Sequence, residues 1–430
     1  MSYNNSLKTH YVDPVSFVPN GRCAFQLDSI DIGYMSNMRL LNVGVQTDVK
    51  TFYNRGLGAM SIIKNIRLLD GRTELSSLSN VSPYLFFKNC NRTNATNVSG
   101  DSYFKRNSMG LNISQYVDKS LRTENSGQAN VGAPDAPLAD EPTNVAYLDL
   151  REVFPILDKF PMGIIPSAIF PNLRIEIEFF SRPSDQILID TTKTIEVVRP
   201  ILAVDTTSNP NMVEATIKEM TETPIMWEAI LHDNYRIPAS STAVAAIGAT
   251  EEIIQSSNNM SLAYKGKFIE RLLLTKQLTD PSLLVAGGGG GGAVSGFGGS
   301  SSQANLGQTI QYKLNGKSVF PGFNGVSGVN EAAGILSDEY GSVSTSILGN
   351  QYQPTSFATV NSDAGAKSQQ SFDCVRLGAR VADLQIRIGR VNNNDTSALS
   401  PTNQAMNINL YAETLKVLSV SQGRYRIAFV

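Results

Sequence analysis

Arg174 to Phe179 reads RIEIEF. The letters alternate strictly. Ile175, Ile177 and Phe179 fall on one face, and Arg174, Glu176 and Glu178 on the other. Side chains on a strand alternate sides, so this stretch predicts a half-buried antiparallel strand with one face in a core. The same period recurs in LQIRIGRV, which turns Leu384, Ile386 and Ile388 inward. It recurs at the C-terminal end, where Tyr425, Ile427 and Phe429 oppose Arg424, Arg426 and Ala428. CAFQLDSIDI, MRLLNVGVQT, SIIKNIRLLDG, TIEVVRPILAV, FIERLLLTK, TIQYKLNGKSVF and INLYAETLKVLSV supply further strands.

Turn chemistry agrees with strands. Asp70-Gly71 and Asn315-Gly316 sit between apolar runs, and both dipeptides suit two-residue hairpin turns. Helical signals are short. LSSLSNVSPYLFFK holds a turn or two. YLDLREVFPILDKF puts Leu150, Phe154 and Leu157 on one face, but Pro155 limits any helix there. NPNMVEATIKEM and NEAAGILSDEY are similar, and none makes a principal packing layer. Many strands, short helices and long Gly/Ser/Asn loops point to sandwiches or barrels.

The chain has 430 residues, enough for two or three cores. Charged residues are 17% and apolar residues 41%. Charge is thus sparse, yet the chain is too apolar to be disordered. The formal net charge is −2 with no basic block, which argues against direct packaging of nucleic acid. Cys23, Cys90 and Cys374 are far apart and odd in number, so reduced, buried thiols are expected rather than a disulfide framework. The start, MSYNNSLKTHYVDP, lacks a signal-type apolar core, so the sequons Asn91-Arg92-Thr93 and Asn94-Ala95-Thr96 are read as unused. No stretch qualifies as a transmembrane helix.

Catalytic patterns are sparse. With only His10 and His232, a zinc site of histidines is nearly excluded. His232 beside Asp233 reads as a polar loop histidine, since no GxSxG elbow exists. Glu176/Glu178 and Glu251/Glu252 read as solvated faces, although a β-sandwich glycosidase brings its carboxylates together only in space. Asn315 to Ser318, NGKS, ends like a phosphate loop, but Gln311 stands where that loop needs glycine, and the flanks are strands. No catalytic, cofactor-binding or metal-ligating residue is assigned, no cofactor is expected, and the protein is not read as an enzyme.

Six glycines run from Gly287 to Gly292. No helix opens after them, so they do not form a dinucleotide loop. Glycine opposes helix by about 1 kcal/mol per residue, so they do not span a membrane. They read as a mobile, solvent-facing loop between strands.

The layout is two-part. Strands, a polar stretch, a short helix and paired strands fill residues 20–204. VDTTSNPNM reads as a break, and a similar plan follows from residue 213. The expected organisation is an N-terminal arm at 1–19, a first β unit at 20–207 and a second at 208–430.

Two segments resemble a known family. Leu148 to Phe180, LDLREVFPILDKFPMGIIPSAIFPNLRIEIEFF, looks like the helix and following strand late in the first barrel of double jelly-roll major capsid proteins. NINLYAETLKVLSVSQGRYRIAFV resembles the closing strands of those proteins in virophages, polinton-like viruses and adintoviruses, within the adenovirus hexon lineage. TIQYKLNGKSVFPGF resembles a hairpin of their second barrel. The resemblance implies an all-β fold of two tandem eight-stranded jelly-roll barrels, with short helices and long loops. It implies a major capsid protein that self-assembles into pseudo-hexameric homotrimers tiling an icosahedral shell. The implied partners are its own copies, penton and minor capsid proteins and an internal membrane, with no sequence-specific nucleic-acid binding. The implied location is the virion, with assembly inside the host cell and no secretion. A minor capsid, penton-type or spike jelly roll, or a carbohydrate-binding β-sandwich, is the alternative.

Overall fold

The computed structural model describes residues 7–28, 30–46, 62–81, 84–85, 145–181, 196–237, 252–255, 264–278, 308–318, 326–327, 371–390 and 406–430. The glycine run at 287–292, Cys90, the sequons and NEAAGILSDEY lie outside them.

The first half holds β1 (Leu7–Val12), β2 (Ser16–Phe17), β3 (Arg22–Asp28), β4 (Gly33–Met35), β5 (Arg39–Gln46), β6 (Ile63–Asp70), β7 (Thr73–Ser79), β8 (Val145–Asp149), β9 (Ile164–Pro166), β10 (Asn172–Phe179), β11 (Glu196–Val197) and β12 (Ile201–Thr207). They form two antiparallel sheets. One runs β11-β5-β12-β4-β9, with β1 on β12 and β8 on β5; the other runs β2-β3-β10-β6-β7. RIEIEF is the centre of the second sheet. Ile175 lies between Phe25 and Leu68, and Ile177 between Cys23 and Ile66. All six side chains are buried. They meet Tyr34, Leu40, Val43, Leu202 and Val204 of the other sheet in one core. Each fully buried aliphatic or aromatic side chain contributes roughly 1.5–3 kcal/mol, so this layer is the main local source of stability.

The second half holds β13 (Ile225–Ile237), β14 (Glu252–Gln255), β15 (Phe268–Leu278), β16 (Gln308–Leu314), β17 (Lys317–Ser318), β18 (Val326–Ser327), β19 (Ser371–Arg380), β20 (Leu384–Arg390), β21 (Met406–Ser421) and β22 (Arg424–Phe429). They again form two antiparallel sheets, β13-β21-β15-β19 with β22 on β21, and β14-β20-β16-β17 with β18 on β16. Among the described residues, no strand pairs across the two halves.

The hairpins refine the turn reading. Leu314 pairs with Lys317, and Asn315 (φ 50°) and Gly316 (φ 80°) are the central residues, as a two-residue turn of left-handed backbone requires. NGKS is therefore a strand-turn-strand. In the first hairpin Asp70 pairs with Thr73, so the central residues are Gly71 and Arg72, one position later than expected. Gly71 carries the positive φ of 58°, while Asp70 uses its carboxylate to accept from the Asn172 N–H. Gln422-Gly423 forms a third such turn, with φ of 52° and 73°.

Other expectations shift. The LSSLS of the first proposed helix belongs to β7. Leu150, Phe154 and Leu157 are all buried, but two separate 3-10 turns, Leu150–Glu152 and Pro155–Lys159, carry the first and last, with Phe154 at the cap of the second, divided as Pro155 demands. Phe429 does not turn inward. It is 40% exposed, with the ammonium of Lys267 4.3 Å from its ring centre. NPNMVEATIKEM forms the helix expected of it, α1 (Pro210–Glu222), directly after the break at Thr207. Asn209 caps it by accepting from the Asn211 N–H, and Pro210 fills the first turn, where a missing donor costs nothing. Val213, Thr216 and Met220 form its buried stripe. The helix packs on β9 of the first half and β21 of the second. Among the described residues no helix is long and apolar enough to cross a membrane.

Candidate functional site: the seam between the halves

The sequence offered no catalytic set, and the residues it weighed scatter. His10 lies on β1 and His232 on β13. Glu176 and Glu178 lie on the outer face of β10, each paired with cations. Glu251 is outside the described residues. Cys23 is buried, and burial pushes its thiol up to about 12, which leaves it a poor nucleophile. The chemistry that the chain concentrates is found where its halves meet.

The seam begins with apolar packing. Phe154, Ile156 and Leu157 of the first half share one continuous core with Trp227, Leu273, Tyr411 and Leu418 of the second. Phe170 and Tyr425 meet across it as a tilted ring pair with centres 4.9 Å apart. Tyr84 and Tyr411 do so at 5.4 Å. Such pairs add about 0.5–1.5 kcal/mol beyond their buried area.

Polar groups then fix the register. Asn409 on β21 is fully buried. Its Oδ1 accepts from Asn80 Nδ2 of the first half at 2.9 Å and from Asn234 Nδ2 at 2.7 Å. His232 Nε2 lies 3.2 Å from the same oxygen, so that nitrogen carries the proton and donates. Tyr411 O–H donates to the Asn80 carbonyl at 2.7 Å, which ties the same residue twice. Next along the seam, Tyr84 O–H donates to Glu413 Oε1 at 3.0 Å. Glu413 is 2% exposed, and Arg271 Nη1 donates to its other oxygen at 2.9 Å. Tyr425 O–H donates to Asp70 Oδ2 at 2.8 Å. Buried polar groups left unpaired are costly, so a set satisfied across two halves favours one relative placement.

His232 is thus not on a loop. It lies in a long strand with its ring 4.8 Å from that of Tyr411. Burial holds its pKa below the ordinary value, while the Asn409 hydrogen bond and the Asp233 charge oppose that shift. No local pattern signals this, because HDNYR lacks the alternation of a half-buried strand. The signal was in the partner strand, NINLYAETL, whose polar letters Asn409 and Glu413 are both buried.

No family model matches the sequence. No curated protein matches it. Solved structures do match in fold. The capsid of the virus PBCV-1, a quasi-atomic model, is 11% identical, with a TM-score of 0.56 over 100% of this chain and 98% of that one. The major capsid protein of mavirus is 10% identical, with a TM-score of 0.52 over 99% of this chain and 90% of that one. The Sputnik virophage structure is 10% identical, with a TM-score of 0.54 over 99% and 88%. At such identities the likeness is one of fold. The expected all-β jelly-roll architecture is the one these capsid structures have.

Proposed function

We propose that the chain is a major capsid protein of a double-stranded DNA virus. One observation carries this: the fold likeness runs end to end, covering 100% of this chain and 98% of the PBCV-1 capsid chain. A shared sandwich module would leave part of one chain or the other uncovered.

In this role two barrels, 20–207 and 208–430, stand side by side, and the stretch expected as an arm at 1–19 joins the first through β1 on β12 and β2 on β3. Three copies make six barrels and a block of roughly hexagonal outline. Each contact within a cyclic trimer joins two different patches yet closes, so growth stops at three. Weak lateral contacts between blocks then sum through multivalency into a shell. A rigid seam supports the role, because a tile whose barrels rocked would lose that sum. Penton and minor capsid proteins and an internal membrane are the further partners. The protein resides in the virion, is assembled inside the host cell without secretion, and carries no catalysis.

Negative-stain imaging of the purified chain tests this. Particles with hexagonal outlines are expected. A field of single two-lobed particles at every concentration tried would overturn it.

A further inference from the structure

The outer face of the β2-β3-β10-β6-β7 sheet carries a hollow of about 320 Å³. Ala24, opposite both Ser16 and Glu176 in the ladder, contributes only a methyl group there. Longer side chains surround it: Arg22, Arg67, Arg174 and Asn65. Arg22 stands opposite Glu178, and Arg67 opposite Glu176, so strand register holds the cations around one depression.

The charges there do not balance. Arg22, Arg67, Arg174 and the adjacent Lys64 face two carboxylates, Glu176 and Glu178. All four carboxylate oxygens are already engaged. Arg174 takes Glu176 Oε1 at 2.8 Å, and Arg67 takes its Oε2. Lys64 takes Glu178 Oε1 at 2.9 Å, and Asn65 takes its Oε2 at 2.7 Å. These donors hold the Glu178 carboxyl below its ordinary range, so it stays ionised. Among the described residues Arg22 makes no ion pair, although its charge also favours ionised Glu178. Two positive charges are therefore uncompensated. Each guanidinium has five N–H donors, and the glutamates use only some of them. Glu176 acts as a strut that holds two arginines in place rather than as a free acceptor.

A cluster rich in free donors, with its own acceptors occupied, fits a group that only accepts. We propose that this hollow is a binding site for a small tetrahedral oxyanion of phosphate or sulfate type, held chiefly by Arg22 with Arg67 and Arg174. Charge-assisted hydrogen bonds to planar guanidinium forks are the strong class, and their spacing matches such an anion. The site stands on this chain's side chains alone and does not depend on the capsid role.

Equilibrium dialysis of the full chain against labelled inorganic phosphate at fixed ionic strength tests it. One saturable phosphate per chain is expected, displaced by sulfate but not by chloride. Arg22→Gln should weaken it about tenfold or more, the loss of about 1.4 kcal/mol that one such contact represents. Lys218→Gln, on the exposed face of α1, should change nothing. Arg22 is exposed and unpaired, so its variant should melt with the parent. Absence of saturable uptake, or equal binding by the Arg22→Gln and Lys218→Gln variants, would overturn the proposal.

Discussion

Tyr84 of the first half donates its phenolic proton to Glu413 of the second, 3.0 Å away, with both side chains buried. Their separation in sequence is 329 residues. A contact this distant in sequence forms only when both halves are folded and docked. It therefore reports on the seam rather than on either half.

Tyr84→Phe keeps the ring against Tyr411 and removes only the hydroxyl. A hydrogen bond to a charged group contributes about 1.5–3 kcal/mol, and that loss is expected in urea unfolding. Trp227, the only tryptophan, lies in the shared core and supplies the fluorescence signal. An unchanged midpoint would show that the hydroxyl does not secure the seam.

Glu413→Ala should cost more. It strips Arg271 of a buried partner, and breaking a buried pair costs about 3–5 kcal/mol. The double variant Glu413→Leu with Arg271→Met should recover much of that, since the charge it leaves, on Glu270 beside Arg271, is partly exposed to water rather than buried. Equal instability of the single and double variants in thermal melts would assign the loss to packing instead.

Gly33→Ala tests how closely the linker helix is fitted. A methyl group at Gly33 would sit 3.0 Å from Ile164 Cγ2 and from Thr207 Cγ2, and 3.1 Å from Val213 Cγ2 of α1. Three branched side chains converge there, so relaxation is limited. Overpacking of this kind costs about 1–3 kcal/mol. A melting point at or above the parent would mean that α1 shifts freely.

The seam should also weaken in acid. His232 has a folded pKa below its unfolded value of 6.5, chiefly through burial. The unfolded chain therefore binds the proton more readily. The stability from the neutral, buried ring is fully present above pH 6.5 and is lost as the pH falls through and below that value. Around the ring stand Asp233 on its own strand and Asn409 and Tyr411 on β21. Melts across this window should show a larger acid loss in the parent than in His232→Gln. Parallel curves would show that His232 does not titrate on unfolding.

What could be seen in the sequence follows from where water lies. RIEIEF was legible because one face of β10 meets core and the other meets solvent, so chemistry alternates with burial. Asn315-Gly316 was legible because left-handed backbone restricts residue choice. β13 was not, because in its HDNYR segment the residues that bond to Asn409 in the seam, His232 and Asn234, are as polar as those that meet water. α1 was legible as NPNMVEATIKEM, although the same stretch also read as a break, because Asn209-Pro210 signals a turn and a helix start equally well. Phe429 misled because alternation marks a pleat and does not say that both flanks are covered. The seam is a product of tertiary pairing, and no local pattern joins Asn80 to Asn409.

The most direct test of the capsid role is the native mass of the purified, full-length chain in solution. Three copies of 46.6 kDa give a particle of about 140 kDa, and the account predicts that mass across a wide concentration range. A single species of 46.6 kDa at every concentration would contradict it.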